Sequence, residues 1–298
     1  MRRIWTILGV ILGVVVVLAG VAVGVVFALS NQEINTVYDI PPVVAVNIPS
    51  DEAAITEGAR QYVVRGCVDC HGADGSGGVV VDDPALGQIH AANLTPGEGG
   101  VGERYPTSVE WQLAIRHGVH ADGTSFWIMP SVDYTTMSET DMGNLIAYLQ
   151  GLTPVDNVIP ASSLGPIGRV LTLDATSGIL SAAEIDHSAA EYSTVAVAAS
   201  VEYGEYLINT CKGCHGENLA GQAIPGFPIP SQNITFDATT GIGGWTFDEF
   251  KTAMQTGVQP DGTAINPIMP WAAFAQFSDV ELEALYLYLE SLPTVVNG

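Results

Sequence analysis

The chain has four cysteines in 298 residues, and both pairs run directly into a histidine: Cys67-Val68-Asp69-Cys70-His71 and Cys211-Lys212-Gly213-Cys214-His215. Two thiols held two residues apart beside an imidazole are the reagents for covalent attachment of c-type haem. Each thiol adds across a porphyrin vinyl group, and the histidine is left beneath the iron. This use consumes every cysteine and leaves none for a disulfide. Other uses of paired cysteines fail on spacing: a zinc ribbon sets its pairs about 15–20 residues apart, whereas 140 residues lie between Cys70 and Cys211. A thioredoxin-like pair needs a βαβ setting that is absent here. Two covalently bound haem c groups are therefore expected, on Cys67, Cys70 and His71 and on Cys211, Cys214 and His215.

The sixth iron ligand in each case should be a methionine or histidine well downstream, and an internal repeat nominates it. The cysteine motif recurs at an offset of 144, and Asn93-Leu94-Thr95 recurs as Asn233-Ile234-Thr235 at 140. Gly118–Thr124 matches Gly257–Thr263, and Ile128-Met129-Pro130 recurs as Ile268-Met269-Pro270. Met129 and Met269 thus hold one repeat position and are the expected axial ligands, a choice that raises haem potential and suits one-electron transfer. Met137, Met142 and Met254 have no methionine counterpart and read as core filler. His90, His117 and His120 also lack partners and read as surface or structural residues. The free ring N–H of each motif histidine needs an acceptor, often a backbone carbonyl, and Pro84 and Pro225 mark loops at a suitable distance. Asn93 and Asn233 have the form of glycosylation sequons, but their repetition favours a structural role with their amides near a haem propionate. Trp111, Trp127, Trp245 and Trp271 are expected to line haem pockets or pack cores.

The elements that must position these residues read as helices. Tyr62-Val63-Val64 matches Tyr206-Leu207-Ile208 ahead of the cysteines. Ser138–Asp141 and Ser278–Glu281 have capping-box form, and behind them Met142, Leu145, Ile146, Leu149 and Leu152, like Leu282, Leu285, Tyr286, Leu289 and Leu292, fall at i, i+3, i+4, i+7 and i+10. Pro154 and Pro293 follow these helices, and Thr107 and Thr246 open one further helix per copy. An all-α fold follows, organised as module 1 (53–153), a Pro-, Ser- and Ala-rich connector (154–199) that wraps across both modules or separates them, and module 2 (200–298).

Ahead of module 1, Arg2 and Arg3 precede an apolar run from Ile4 to Leu29, long enough to cross a bilayer. Residues 1–30 read as a transmembrane anchor. A cleaved signal peptide is the alternative, since Ala28-Leu29-Ser30 has small residues at the right spacing, but its apolar core is typically only about 7–15 residues. Residues 31–52, with Pro41, Pro42 and Pro49, read as an extended stalk. The Arg pair should stay in the cytoplasm, placing the modules on the periplasmic or extracellular side. Beyond those two arginines, seven basic residues face 32 acidic ones, a net −25. Nucleic acid is excluded as a partner, and a redox partner with a basic docking surface fits.

On Cys-x-x-Cys-His-Gly, Asn-Leu-Thr-Pro, Asp-Gly-Thr, Ile-Met-Pro and the closing Leu-rich helix, the chain resembles class I cytochromes c over about residues 53–153 and 200–293. In particular it resembles membrane-anchored cytochrome subunits of alcohol or aldehyde dehydrogenases and related respiratory chains. The resemblance implies two tandem class I modules with His–Met ligation. Those subunits usually carry three haem modules where this chain has two. The expected function is single-electron transfer between respiratory or photosynthetic redox partners on the outer face of the membrane, by a carrier or a subunit of a larger complex rather than by an enzyme. The alternatives are a dihaem peroxidase or thiosulfate dehydrogenase type of redox enzyme, which needs an open iron, or a dehydrogenase's cytochrome subunit.

Overall fold

The computed structural model describes residues 2–189, 192–224 and 229–296. The apolar N-terminal run forms one long helix, α1 (Arg2–Ile34), whose side chains from Ile4 to Leu29 are almost all exposed. Its most apolar window reaches a mean hydropathy of 3.1, compatible with a single-pass membrane anchor.

In the first module α2 (Glu52–Val64) leads through a left-handed turn at Gly66 into α3 (Cys67–His71). Strands β1 (Gly78–Asp83) and β2 (Gly87–Ala91) follow, then α4 (Ser108–Ile115) and α5 (Glu139–Gln150). The connector contributes β3 (Ser163–Leu164) and α6 (Pro166–Leu171). The second module comprises α7 (Val201–Leu207), α8 (Asn209–His215), α9 (Phe247–Thr256), α10 (Trp271–Phe274) and α11 (Asp279–Ser291). The molecule is mostly helical, but the all-helical expectation needs one correction. β1, β2 and β3 form an antiparallel sheet in that order, seeded by the β-branched Val79–Val81 run.

Thr107 and Thr246 cap α4 and α9 through reciprocal bonds with Glu110 and Glu249, and Ser278 does the same with Glu281. Ser138 accepts from the Asp141 amide, whereas the Asp141 carboxylate bonds Gln61, Arg65 and Tyr206. In each module the helix ahead of the cysteines crosses the last helix at a glycine. A Cβ on Gly58 would overlap the Asn144 carbonyl, and one on Gly204 the Ala284 carbonyl. This shared contact shifts the sequence match by two residues. Tyr62 corresponds to Ile208, both fully buried, and Tyr206 takes the place of Arg60. The chain from the crossing glycine to the first cysteine is simply two residues longer in module 1.

Those shifted positions build the junction between modules. Arg60 donates to Glu281 of module 2 at 2.8 and 3.0 Å and to the Gln276 carbonyl. Reciprocally, the Tyr206 hydroxyl donates to Asp141 of module 1 and accepts from the Ser138 amide at 3.1 Å. Asp141 and Glu281 are the same repeat position, so the interface has approximate twofold character.

Residues 35–50 are extended, but they lie along module 1 instead of standing off it as a stalk. Val46 is buried in its core, and the Val44 and Val46 carbonyls accept bonds from Gln112 and Ser108. The connector also wraps module 1. The Val155 carbonyl accepts from Asn93, and the Ser193 amide donates to the Thr136 carbonyl.

Candidate haem-binding sites

Each motif sits on a short helix, α3 or α8, ended by a glycine of positive φ, Gly72 or Gly216. All four cysteines are free thiols. Burial pushes Cys67 and Cys211 up to about 12 and raises Cys70 and Cys214. The thiols therefore hold their protons at neutral pH. The histidines are prepared in the same way twice over. His71 Nδ1 lies 2.9 Å from the Ala92 carbonyl and His215 Nδ1 2.7 Å from that of Gln232. Burial holds both rings below the usual imidazole range, with the carbonyl bond acting in the opposite sense. A neutral ring donating from Nδ1 leaves the Nε2 lone pair for a metal.

The expected backbone acceptors thus exist, though in neither case at the prolines. Ala92 lies eight residues past Pro84, and Pro225 lies outside the described residues. Ala92 and Gln232 immediately precede the repeated Asn-x-Thr, and that repeat was the signal that could have located them. The asparagine amides do not fit the expected place beside a propionate. Asn93 Nδ2 donates to the Val155 and Asn157 carbonyls, Asn233 Nδ2 to Thr240 and the Val295 carbonyl, while each Oδ1 accepts from the Thr two residues on. Both amides are spent, tying the loop under the histidine to the chain that leaves the last helix.

Met129 packs against the core of Tyr62, Trp111 and Leu145, with Cys67 alongside. Met269 packs against that of Ile208, Phe250 and Leu285, with Cys211 alongside. Their loops share backbone bonds: the Ser131 and Trp271 amides each return to the methionine carbonyl at 2.8 Å. They differ just before it. Ile268 N is held locally by Asn266 Oδ1 at 3.0 Å, whereas Ile128 N donates to Ile179 of the connector at 3.0 Å and takes φ +54°. A β-branched residue there is strained, and the Trp127–Leu180 bridge helps to hold it.

In module 1 a cavity of about 710 Å³ is bordered by Cys67, Cys70, His71 and Met129, with Tyr62, Trp111, Leu145 and Leu149 supplying apolar wall. Trp111 is buried and its indole N–H, on that wall, lacks a partner among the described residues. A large apolar group with a polar rim, brought by two thiols and an imidazole, fits this setting, and haem c has that chemistry. Thr210 and Asp133 also border the cavity. Thr210 precedes Cys211, so the second motif abuts the first site, a closeness that tertiary structure alone reveals. Asp133 is pushed up to about 7, first by burial and then by Glu217 and Glu184.

Of the unmatched histidines, His90 and His120 border the first cavity, and His117 is tied to the connector. His117 Nδ1 lies 3.1 Å from Nδ1 of His187, a residue the repeat could not flag, and burial with that neighbour brings His117 down to about 4. His120 packs edge-on to Phe126. Met137, Met142 and Met254 are core residues, as expected. Trp271 covers Gly257, and Trp245 packs on the second core.

A profile of the cytochrome c family matches residues 55–153 and 201–293. The chain is 27% identical to the cytochrome c subunit of the quinone alcohol dehydrogenase of Gluconobacter oxydans, over 84% of this chain and 57% of that protein. It is 27% identical to a nicotinate dehydrogenase subunit of Pseudomonas putida, over 85% of this chain and 23% of that one. Against the gluconate 2-dehydrogenase cytochrome c subunit of Pantoea cypripedii it is 41% identical over 30% of this chain and 22% of that one. The chain thus spans little more than half of the first relative and under a quarter of the other two.

Proposed function

The chain belongs to the cytochrome c family, and from that premise we propose that it is a membrane-tethered electron-transfer protein with two covalently bound haems c. Cys67, Cys70 and His71 hold one group and Cys211, Cys214 and His215 the other, with Met129 and Met269 as sixth ligands. When bound, haem iron supplies reversible one-electron chemistry.

The observation that carries this reading is the duplicated setting of the histidines, each held neutral by desolvation and pinned through Nδ1 by a carbonyl. Pinning fixes the tautomer and keeps Nε2 available. Methionine at the matched position in both modules favours closed sites that pass electrons over an open iron that would bind a substrate. The abutment of Thr210 on the first cavity supports exchange between the two sites.

The modules lie on the outer face of the membrane crossed by α1, and their acidic surface suits a partner with a basic docking surface. The names of the relatives support a dehydrogenase as electron donor, which would make the chain a subunit of a larger complex.

Mass spectrometry of the mature protein should show two haem additions, and any other number refutes the attachment. Replacing Met129 or Met269 by leucine should remove about half of the iron–thioether absorption and lower one of two potentials. No change at either site would mean that another residue binds.

A further inference from the structure

α6 is short, and its three sides face three different surroundings. Arg169 and Thr172 meet the end of α1. The Arg169 guanidinium lies over the Phe27 ring at 4.0 Å and donates to Asn31 Oδ1 at 2.8 Å, and the buried Thr172 hydroxyl donates to Ser30 Oγ at 2.9 Å. Gly165 and Gly168 meet the turn between β1 and β2. The Gly165 amide donates to the Leu86 carbonyl at 2.9 Å, and a Cβ on Gly168 would overlap that carbonyl. The third side, prolonged into the turn that follows Leu171, carries Ile167, Val170 and Leu173 at i, i+3 and i+6, exposed to 51%, 51% and 40%.

Single exposed aliphatic residues are ordinary, but these are clustered and placed. Outside α1, no other seven-residue stretch of the described residues has three exposed large apolar side chains. They flank Phe27–Asn31, where the apolar run of α1 gives way to Ser30, Asn31, Gln32 and Glu33. A membrane-crossing helix leaves the hydrocarbon at such a boundary. The one charge on α6, Arg169, is spent on Phe27 and Asn31 of α1, which leaves the third side uncharged. We propose that Ile167, Val170 and Leu173 insert into the boundary between headgroups and acyl chains of the phospholipid bilayer that α1 crosses. The inference rests on the reading of α1 as a membrane anchor. Module 1 then stands on the membrane at two points, since α6 is joined both to α1 and, through the β1–β2 turn, to the sheet beside the first haem site.

The test uses the full-length, haem-loaded protein in phosphatidylcholine nanodiscs containing a lipid with a photoactivatable acyl chain, with labelled peptides mapped by mass spectrometry. Label is expected on α1 and on the segment 167–173. Ile167→Asn with Val170→Asn should lower labelling of that segment about fivefold while leaving α1 labelling and haem absorption unchanged. If the double variant fails to load haem, Leu173→Asn alone is read in the same way. Label on α1 but not on 167–173, or equal labelling of that segment in wild type and variant, overturns the proposal and leaves the anchor standing. Label on neither refutes the anchor and the proposal together.

Discussion

Asn93 and Asn233 show how one side chain can be misread from its pattern and read correctly from its bonds. Both are sequons by sequence, yet they are 0% and 4% exposed, and each satisfies two carbonyl or hydroxyl acceptors and two donors. Asn93→Ala should cost about 1–3 kcal/mol, because the Asn157 carbonyl and the Thr95 amide would lose the Asn93 amide group and the Val155 carbonyl would keep only its bond from the Thr95 hydroxyl. Asn233→Ala should do the same, measured as a fall in the denaturation midpoint. Neither asparagine should carry a glycan when the protein is secreted by a glycosylating host. Asp133 supplies a pH dependence. Its folded carboxyl titrates near 7 against an ordinary value of 3.8, so the folded state binds its proton more tightly than the unfolded chain does. That contribution to stability is full below the ordinary carboxylate range and is lost as pH rises to about 7. Thermal melts should fall across that window, and Asp133→Asn should flatten the fall and raise the melting point at pH 8. Ile128 belongs to the same scale: its positive φ could not be inferred from a residue type that avoids that region.

At the scale of elements, the most legible features were those with a local cause. The caps at Thr107, Thr246 and Ser278 and the spacing of Leu145, Leu149, Leu285 and Leu289 follow from short-range rules, and the structure has helices there. The sheet was missed because its strands are short and irregular. β1 has a break in register between Val79 and Val81, which spoils a two-residue alternation, and β3 is two residues recruited from the connector. The match of Tyr62 to Tyr206 slipped because both precede a cysteine motif, while the structural equivalence is set by Gly58 and Gly204. Those glycines carry a prediction. Gly58→Ala or Gly204→Ala forces a methyl group into a facing carbonyl, separating α2 from α5 or α7 from α11. Each should destabilise its module by about 1–3 kcal/mol in denaturant titration.

For the whole molecule, the decisive contacts cross from one module to the other. Glu281 is 4% exposed, so Arg60→Leu leaves an uncompensated carboxylate at the junction and should cost up to about 3 kcal/mol. Tyr206→Phe retains the Arg65–Asp141 pair and should cost about 1 kcal/mol. Both are measured by denaturation of the full chain, with a broadened transition if the modules begin to unfold separately. No repeat search could anticipate this junction, because repeats report what two copies share and the junction depends on how they differ. The same holds for the connector segment Ile179–Ser181, bonded to Phe126 and Ile128 beside Met129. Its consequence concerns the order in which the protein can be made. The ribosome completes the helices of module 1 by Gln150, yet the loop carrying Met129 gains its bracing segment only some thirty residues later. Module 2 holds the matching loop with its own Asn266. The copy synthesised first is therefore the one that must wait, and a nascent chain halted between Gln150 and Ile179 would present a motif ready for attachment beneath an unbraced distal loop.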